Sequence, residues 1–227
     1  YYLEEELKRI KNSLRKFTVS SRCGIHVHMN VRDLTIPELT NLIYLYMIYE
    51  KSLYKFSGDR WDNPFCVPLF FTPIDLINLF RKLQEDRVRN LNWDKYSGLN
   101  LRPIWTYKER GRGLGTIEFR HMVGNFDISW IMQWVQLIIK LKLSAKTLSG
   151  EYIQSQIQLL NTTSQYSNFT GEVFGEHSKY LKSLPYFEQD MESCITNIKY
   201  INSRVQNFNK AGLVEINEGE PPQIVNN

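Results

Sequence analysis

Two short stretches of this chain alternate apolar and polar residues with a period of two. In Gly24-Ile-His-Val-His-Met-Asn30, Ile25, Val27 and Met29 alternate with His26, His28 and Asn30. In Leu114 to His121, Ile117 and Phe119 alternate with Thr116, Glu118 and Arg120. Period two marks a half-buried β-strand, because successive side chains leave a strand on opposite faces. Much of the sequence around them is patterned for helix. Such strands bury their apolar faces by pairing and by taking helices as cover. The expectation is therefore an α+β fold, with a mainly antiparallel sheet covered by helices.

The helical patterns are explicit. Leu3, Leu7, Ile10 and Leu14 form one apolar stripe. Thr35-Ile-Pro-Glu38 is a capping-box signature that opens a helix to about Tyr54. Thr72-Pro-Ile-Asp75 opens another, ending near Asp86. Asp127 or Ser129 caps a long helix carrying Trp130, Ile131, Trp134, Val135, Ile138 and Leu141. Glu151 to Leu160 and Pro185 to about Phe208 read as further amphipathic helices. Gly98 to Ile104 reads as a strand, and Tyr107 to Gly113 as a basic hairpin tip. Asn161 to Asn168, rich in Ser, Thr and Asn, reads as a linker. Glu215 to Asn227 reads as a frayed tail. The expected division is a core over 1–145 and a helical extension over 146–227. The chain begins at Tyr1 rather than Met, so the first part of the core is expected to lie upstream of it.

Composition narrows the function classes. A formal charge of +4 over 227 residues gives no independent case for nucleic-acid binding. The most apolar window, Trp130 to Leu143, is interrupted by Gln133, Gln136, Lys140 and Lys142 and is too short and polar to span a bilayer. Cys23, Cys66 and Cys194 form neither a CxxC zinc pattern nor a disulfide framework. The expectation is reduced, buried thiols and a cytoplasmic location.

The polar faces of the two strands carry the candidate chemistry. His26 and His28, two residues apart, point to one side and can serve a metal, a phosphate or one of each. The bland alternative is a solvated strand face. Glu118 and Arg120 also share a side. A carboxylate binds a hard divalent cation, and a guanidinium pairs with phosphate or carboxylate. The bland alternative there is a surface ion pair, worth little. Arg102, Lys108, Arg110 and Arg112, with Gly111, Gly113 and Gly115 interleaved, form a basic cluster suited to an anion. Lys108 and Arg110 read better as a solvated hairpin tip. Together the motifs describe metal ligands, phosphate cations and a groove, which is what phosphoryl transfer to a carboxylate needs.

The two motifs resemble the GxHxH and (I/V)E(F/V)R strands of glutamine synthetases. The closer resemblance is to the amidoligase family of the carboxylate–amine ligase superfamily. It includes Cys23-Gly-Ile-His-Val-His28, Arg32-Asp-Leu-Thr35, Tyr49-Glu50, Arg60 with Asn63 and Cys66, Leu99-Asn100, Gly115-Thr-Ile-Glu-Phe-Arg120, Asp127 and Trp134. It covers roughly residues 15 to 145. The resemblance implies a glutamine-synthetase-like fold with ATP and Mg2+ across the sheet. It implies His26 and Glu118 as metal ligands, His28 as a phosphate contact and Arg120 as a catalytic arginine of the substrate and phosphate site. Arg112 and Arg102 are the further nucleotide candidates, Arg112 also a catalytic one. His121 follows the motif but faces the other side and reads as structural.

The implied activity is ATP-dependent joining of a carboxylate to an amine through an acyl phosphate, on a small-molecule, amino-acid or peptide substrate. One departure stands out. Family members open with an E-x-E strand that supplies further metal carboxylates, and no such strand precedes His26. Glu4, Glu5 and Glu6 sit in a helical pattern and read as solvated charges. That departure favours a second reading, a non-catalytic binding or assembly protein on the same fold, as an oligomer or within a larger assembly. The wealth of Asn, Ile, Lys and Tyr fits AT-rich coding, and with it a phage or viral source in host cytoplasm or virion. A third reading, a HxH metallohydrolase, requires a third nearby ligand and an open metal position.

Overall fold

The computed structural model describes residues 2–14, 18–20, 23–84, 93–105 and 113–210. Among them, α1 (Tyr2–Ser13) leads to β1 (Gly24–Asn30), α2 (Ile36–Phe56), a 3-10 turn (Leu69–Phe71) and α3 (Pro73–Gln84). Then come β2 (Leu99–Asn100), α4 (Arg102–Trp105), β3 (Thr116–Val123) and α5 (Ile128–Thr147). The rest is helical: α6 (Gly150–Leu159), α7 (Thr163–Phe174), a 3-10 turn (Gly175–His177), α8 (Ser178–Lys182) and α9 (Phe187–Lys210). The fold is mixed helix with one small sheet of order β1-β3-β2, antiparallel throughout. Helices dominate it, so α+β holds only at that coarse level and the sheet is smaller than the sequence suggests.

The centre is α2. Almost every residue from Asn41 to Tyr54 is buried, whichever way it points. A helix apolar on all sides must be enclosed on all sides. α5, α6, α9 and the sheet enclose it. Thr35 and Glu38 form the reciprocal capping box at its start. Burying each Leu, Ile or Phe here contributes about 1.5–3 kcal/mol. One apolar cluster runs from Met29 on β1 to Val205 on α9, so the core continues across residue 145.

Several expectations need correcting. The strand over Gly98–Ile104 shrinks to Leu99–Asn100. Asn100 Oδ1 accepts from Arg102 N at 3.0 Å, and Pro103 has no N–H to give a ladder, so the chain turns into α4. The linker over Asn161–Asn168 is largely helix. Thr162 and Gln165 form a capping box, and Tyr166, Phe169 and Val173 bury one face of α7. Cys23 is exposed, while Cys66 and Cys194 are buried. The hairpin tip over Tyr107–Gly113 lies, apart from Gly113, outside the described residues, as does the tail over Glu215–Asn227. Among the described residues no helix is long and apolar enough to cross a membrane.

The sheet contains a bulge. Val27 pairs with Phe119, but Ile25 pairs with Met122, so β3 advances three residues while β1 advances two. The extra residue lies opposite His26. Bulges re-aim side chains in this way. Here Phe119, His121 and Met122 are all buried, while Glu118 and Arg120 meet on the other side.

Candidate functional site

The pairing of β1 with β3 brings the two polar motifs together. His28 lies opposite Glu118 in register, and Asn100 of β2 lies opposite Glu118 from the other edge. Glu118 is thus the middle residue of the sheet and is 7% exposed. Its Oε1 accepts from Arg120 Nη1 at 2.9 Å and lies 2.8 Å from His26 Nδ1. Its Oε2 accepts from Asn100 Nδ2 at 2.7 Å. His28 Nε2 is 3.9 Å from Oε1, and its Nδ1 bonds Thr116 Oγ1 at 3.0 Å. Both His26 and His28 are exposed, so the cluster opens to solvent on the β1 side.

Burial alone would raise the Glu118 carboxyl. The hydrogen bonds from His26 and Asn100 and the charge of Arg120 outweigh it and hold the carboxyl at about 2. The carboxylate is therefore charged throughout the physiological range. The sequence alternative of a surface ion pair does not hold, because Glu118 is buried. Removing one partner of a buried pair costs far more than the ~0–1 kcal/mol of an exposed one.

Arg120 is held from two further directions. Its Nε donates to Phe65 O at 3.2 Å, and its own carbonyl accepts from Arg60 Nη1 at 3.0 Å. Arg60 also crosses Gly24. A Cβ built there would stand 2.5 Å from Arg60 Nη1 and 3.4 Å from His26 Nε2. The glycine of the first motif is thus a clearance for the guanidinium. Sequence reasoning counted Arg60 only as part of a resemblance and gave it no role. No periodicity marks it, since it lies in a loop. Asn100 was likewise missed as a partner of Glu118.

The remaining predicted residues lie apart. Arg102 is on α4 and lines a recess of about 370 Å3 with Asp75, Trp93, Asp94 and Lys95, none of which belongs to the Glu118 cluster. Arg112 lies outside the described residues. His121 points to the core. Its Nε2 bonds Tyr46 Oη at 2.7 Å, and Tyr46 donates to Glu50 Oε1 at 2.9 Å. Glu50 also accepts from Leu69 N at 2.6 Å and Phe70 N at 2.8 Å, capping the 3-10 turn. With its proton spent on Glu50, Tyr46 accepts from His121, which fixes the Nε2–H tautomer. Burial, with the charge of Arg60, pushes His121 down to about 3, so this imidazole is neutral.

The donor set decides what the cluster can hold. It offers one carboxylate and two imidazoles. Among the described residues no group of three His, Cys, Asp or Glu is arranged to hold a metal ion. Mg2+ wants octahedral oxygen ligation and is commonly held by one or two carboxylates together with substrate phosphates. His26 and Glu118 thus fit Mg2+ only in company with oxygens from elsewhere. The cluster is better equipped on its own for an anion, which Arg120 and the His28 ring could meet.

Comparison with known proteins adds the family. No curated protein and no solved structure matches the chain. The family model described as "putative amidoligase enzyme" matches residues 2–142, from α1 into α5 and across the whole sheet. That span is more than half of the sequence and contains every residue of the Glu118 cluster, so the chain belongs to the amidoligase family.

Proposed function

We propose that the chain carries the catalytic core of an ATP-dependent carboxylate–amine ligase. The observation behind this reading is the meeting of Glu118, Arg120, His26 and His28 on paired strands, around one carboxylate oxygen. In this reading a substrate carboxylate takes the γ-phosphoryl group of ATP to give an acyl phosphate and ADP. An amine then attacks the acyl carbon, the amide C–N bond forms and inorganic phosphate leaves. Arg120, fixed by Phe65 O and Glu118, stabilises the charge of the transferring group. His28 stands beside it as a phosphate contact. His26 and Glu118 would hold a Mg2+ brought in with the nucleotide, exchanging their mutual contact for the ion. When bound, that ion supplies neutralisation of phosphate charge.

The test is incubation of the protein with Mg2+, ATP and mixed amino acids or peptides, following ADP and new amides by mass spectrometry. ADP and an amide product are expected, and both are lost in His26→Ala and Glu118→Gln. Absence of nucleotide binding in the folded wild-type protein would sink the proposal. A second reading, a non-catalytic binding or assembly protein, draws on the single carboxylate in the cluster. It predicts nucleotide-independent behaviour and indifference to those two substitutions.

A further inference from the structure

Beside Arg60 lies a second recess, of about 640 Å3, within the range of small-molecule sites. It lies between the loop after α2 and α9, and Arg60, Trp61 and Asn63 line it together with Lys51, Asp59 and Asp62. Arg60 is the wall it shares with the Glu118 cluster, since the same guanidinium donates to Arg120 O and flanks His26 across Gly24.

Two observations point to a ligand. The first is Arg60 itself. It lines the recess and is 8% exposed; its Nη1 donates to Arg120 O, its Nε is sealed in the wall without a partner, and among the described residues no carboxylate pairs with its charge. A buried guanidinium without a counter-charge is costly, and a carboxylate is the partner its planar fork fits best. The second is the balance of charge. Lys55 is engaged with Asp190 at 2.5 Å, and Lys51 donates to Ser193 Oγ at 2.8 Å and lies over Phe70. Asp59 and Asp62 are exposed carboxylates at the mouth. Gly58, at φ +104° against the Val123 side chain, and Asp59, at φ +51°, make the turn that presents them. A recess with an inner cation and outer carboxylates matches a ligand carrying both signs a few ångströms apart.

We propose that this recess binds a free α-amino acid as its zwitterion, the carboxylate on Arg60 and the ammonium at Asp59 and Asp62, and that it is the amino-acid subsite of the reaction above. The assignment rests on the ligase reading for its purpose but not for its chemistry.

Trp61 in the lining supplies a readout independent of turnover. Tryptophan fluorescence of the full chain is titrated with glycine, glutamate and lysine, and with N-acetylglycine and glycine methyl ester, without nucleotide. Trp61→Phe identifies the signal. At least one free amino acid should shift the emission saturably. Its N-acetyl and ester forms should bind at least about tenfold more weakly, since each removes a charge-assisted contact. Arg60→Gln should weaken binding about tenfold or more, Arg60→Lys less. Asp59→Asn with Asp62→Asn should weaken the amino acid but not N-acetylglycine. Because Arg60 is buried, circular dichroism accompanies its variants, and the exposed Asp pair carries the test if Arg60→Gln unfolds.

No binding by any free amino acid, or binding indifferent to blocking of its termini or to the Asp pair, overturns the assignment. Binding of a terminally blocked peptide in preference to free amino acids does so too. A parallel titration with a non-hydrolysable ATP analogue separates the two ideas. Nucleotide binding without amino-acid binding removes the subsite and leaves the ligase reading. Amino-acid binding without nucleotide binding does the reverse.

Discussion

Glu50 and Glu118 are both almost wholly shielded from solvent, yet their carboxyls are displaced in opposite directions. Burial pushes Glu50 up to about 7, against hydrogen bonds from Leu69 N, Tyr46 and Phe70 N. Glu118 sits at about 2, because His26, Asn100 and Arg120 overcome its burial. Both accept hydrogen bonds generously. The difference is the kind of partner. Glu50 is served by neutral donors deep beside α2, whereas Glu118 has a guanidinium at 2.9 Å and lies beside an opening. Depth with neutral partners makes a structural carboxylate that caps a turn. Depth with a cationic partner and an open side makes one that stays charged and reachable, as a binding site requires.

The largest effect expected from breaking this contrast is on chemistry. Glu118→Gln removes the charge and keeps the shape, and ATP-dependent amide formation should fall by about 10²-fold or more. Glu50→Gln should leave activity per folded molecule nearly unchanged. Rates normalised to folded protein check both, and equal losses in the two variants would erase the distinction. Next in size is stability. Glu50→Gln must turn an amide towards backbone N–H donors or lose an acceptor, at about 1–3 kcal/mol, read from urea unfolding.

The pH dependence sharpens the contrast. Glu118, lowered from 4.5, contributes stability that is present above pH 4.5 and lost as pH falls through about 2. His121, lowered from 6.5, contributes stability present above 6.5 and lost as pH falls through about 3. Glu50, raised from 4.5, acts oppositely, with its contribution complete below 4.5 and lost as pH rises through about 7. From pH 7 to 4.5 the Glu50 gain and His121 loss offset each other, and the urea midpoint should change little. Below 4.5 it should drop steeply. In Glu50→Gln the decline should begin near pH 6.5, and a profile parallel to wild type would show that Glu50 does not titrate there. The smallest effect on the carboxyl is that of Asn100→Ala, which removes one neutral donor from Glu118 together with the acceptor of Arg102 N and should cost about 1–3 kcal/mol, with the Glu118 carboxyl still well below 4.5 as measured by NMR titration.

Much of this site is written in the sequence. Alternation marks β1 and β3, and two strands that each need a partner bring His28 to Glu118. The same logic turns His121 inward with Phe119. Other parts obey tertiary rules that no local pattern carries. Asn100 reaches Glu118 through a two-residue strand, too short to show a period. Arg60 acts through clearance over Gly24, visible only in three dimensions. α7 was concealed because Ser, Thr and Asn suggest a loop, although Thr162 and Gln165 carry the capping box. The signal for Glu50 was present but unused, since a lone carboxylate in an otherwise apolar helix must find buried donors.

The bulge opposite His26 reverses the parity of β3 part-way along. Before it, even-numbered residues face the site. After it, Met122 takes the core position opposite Ile25. A polar side chain that the protein accepts at 118 or 120 will therefore be rejected at 122. Shortening the strand by one residue there would straighten the ladder and swing Arg120 or His121 to the wrong side. Natural length variation should thus gather in the loops between the C-terminal helices and spare this strand.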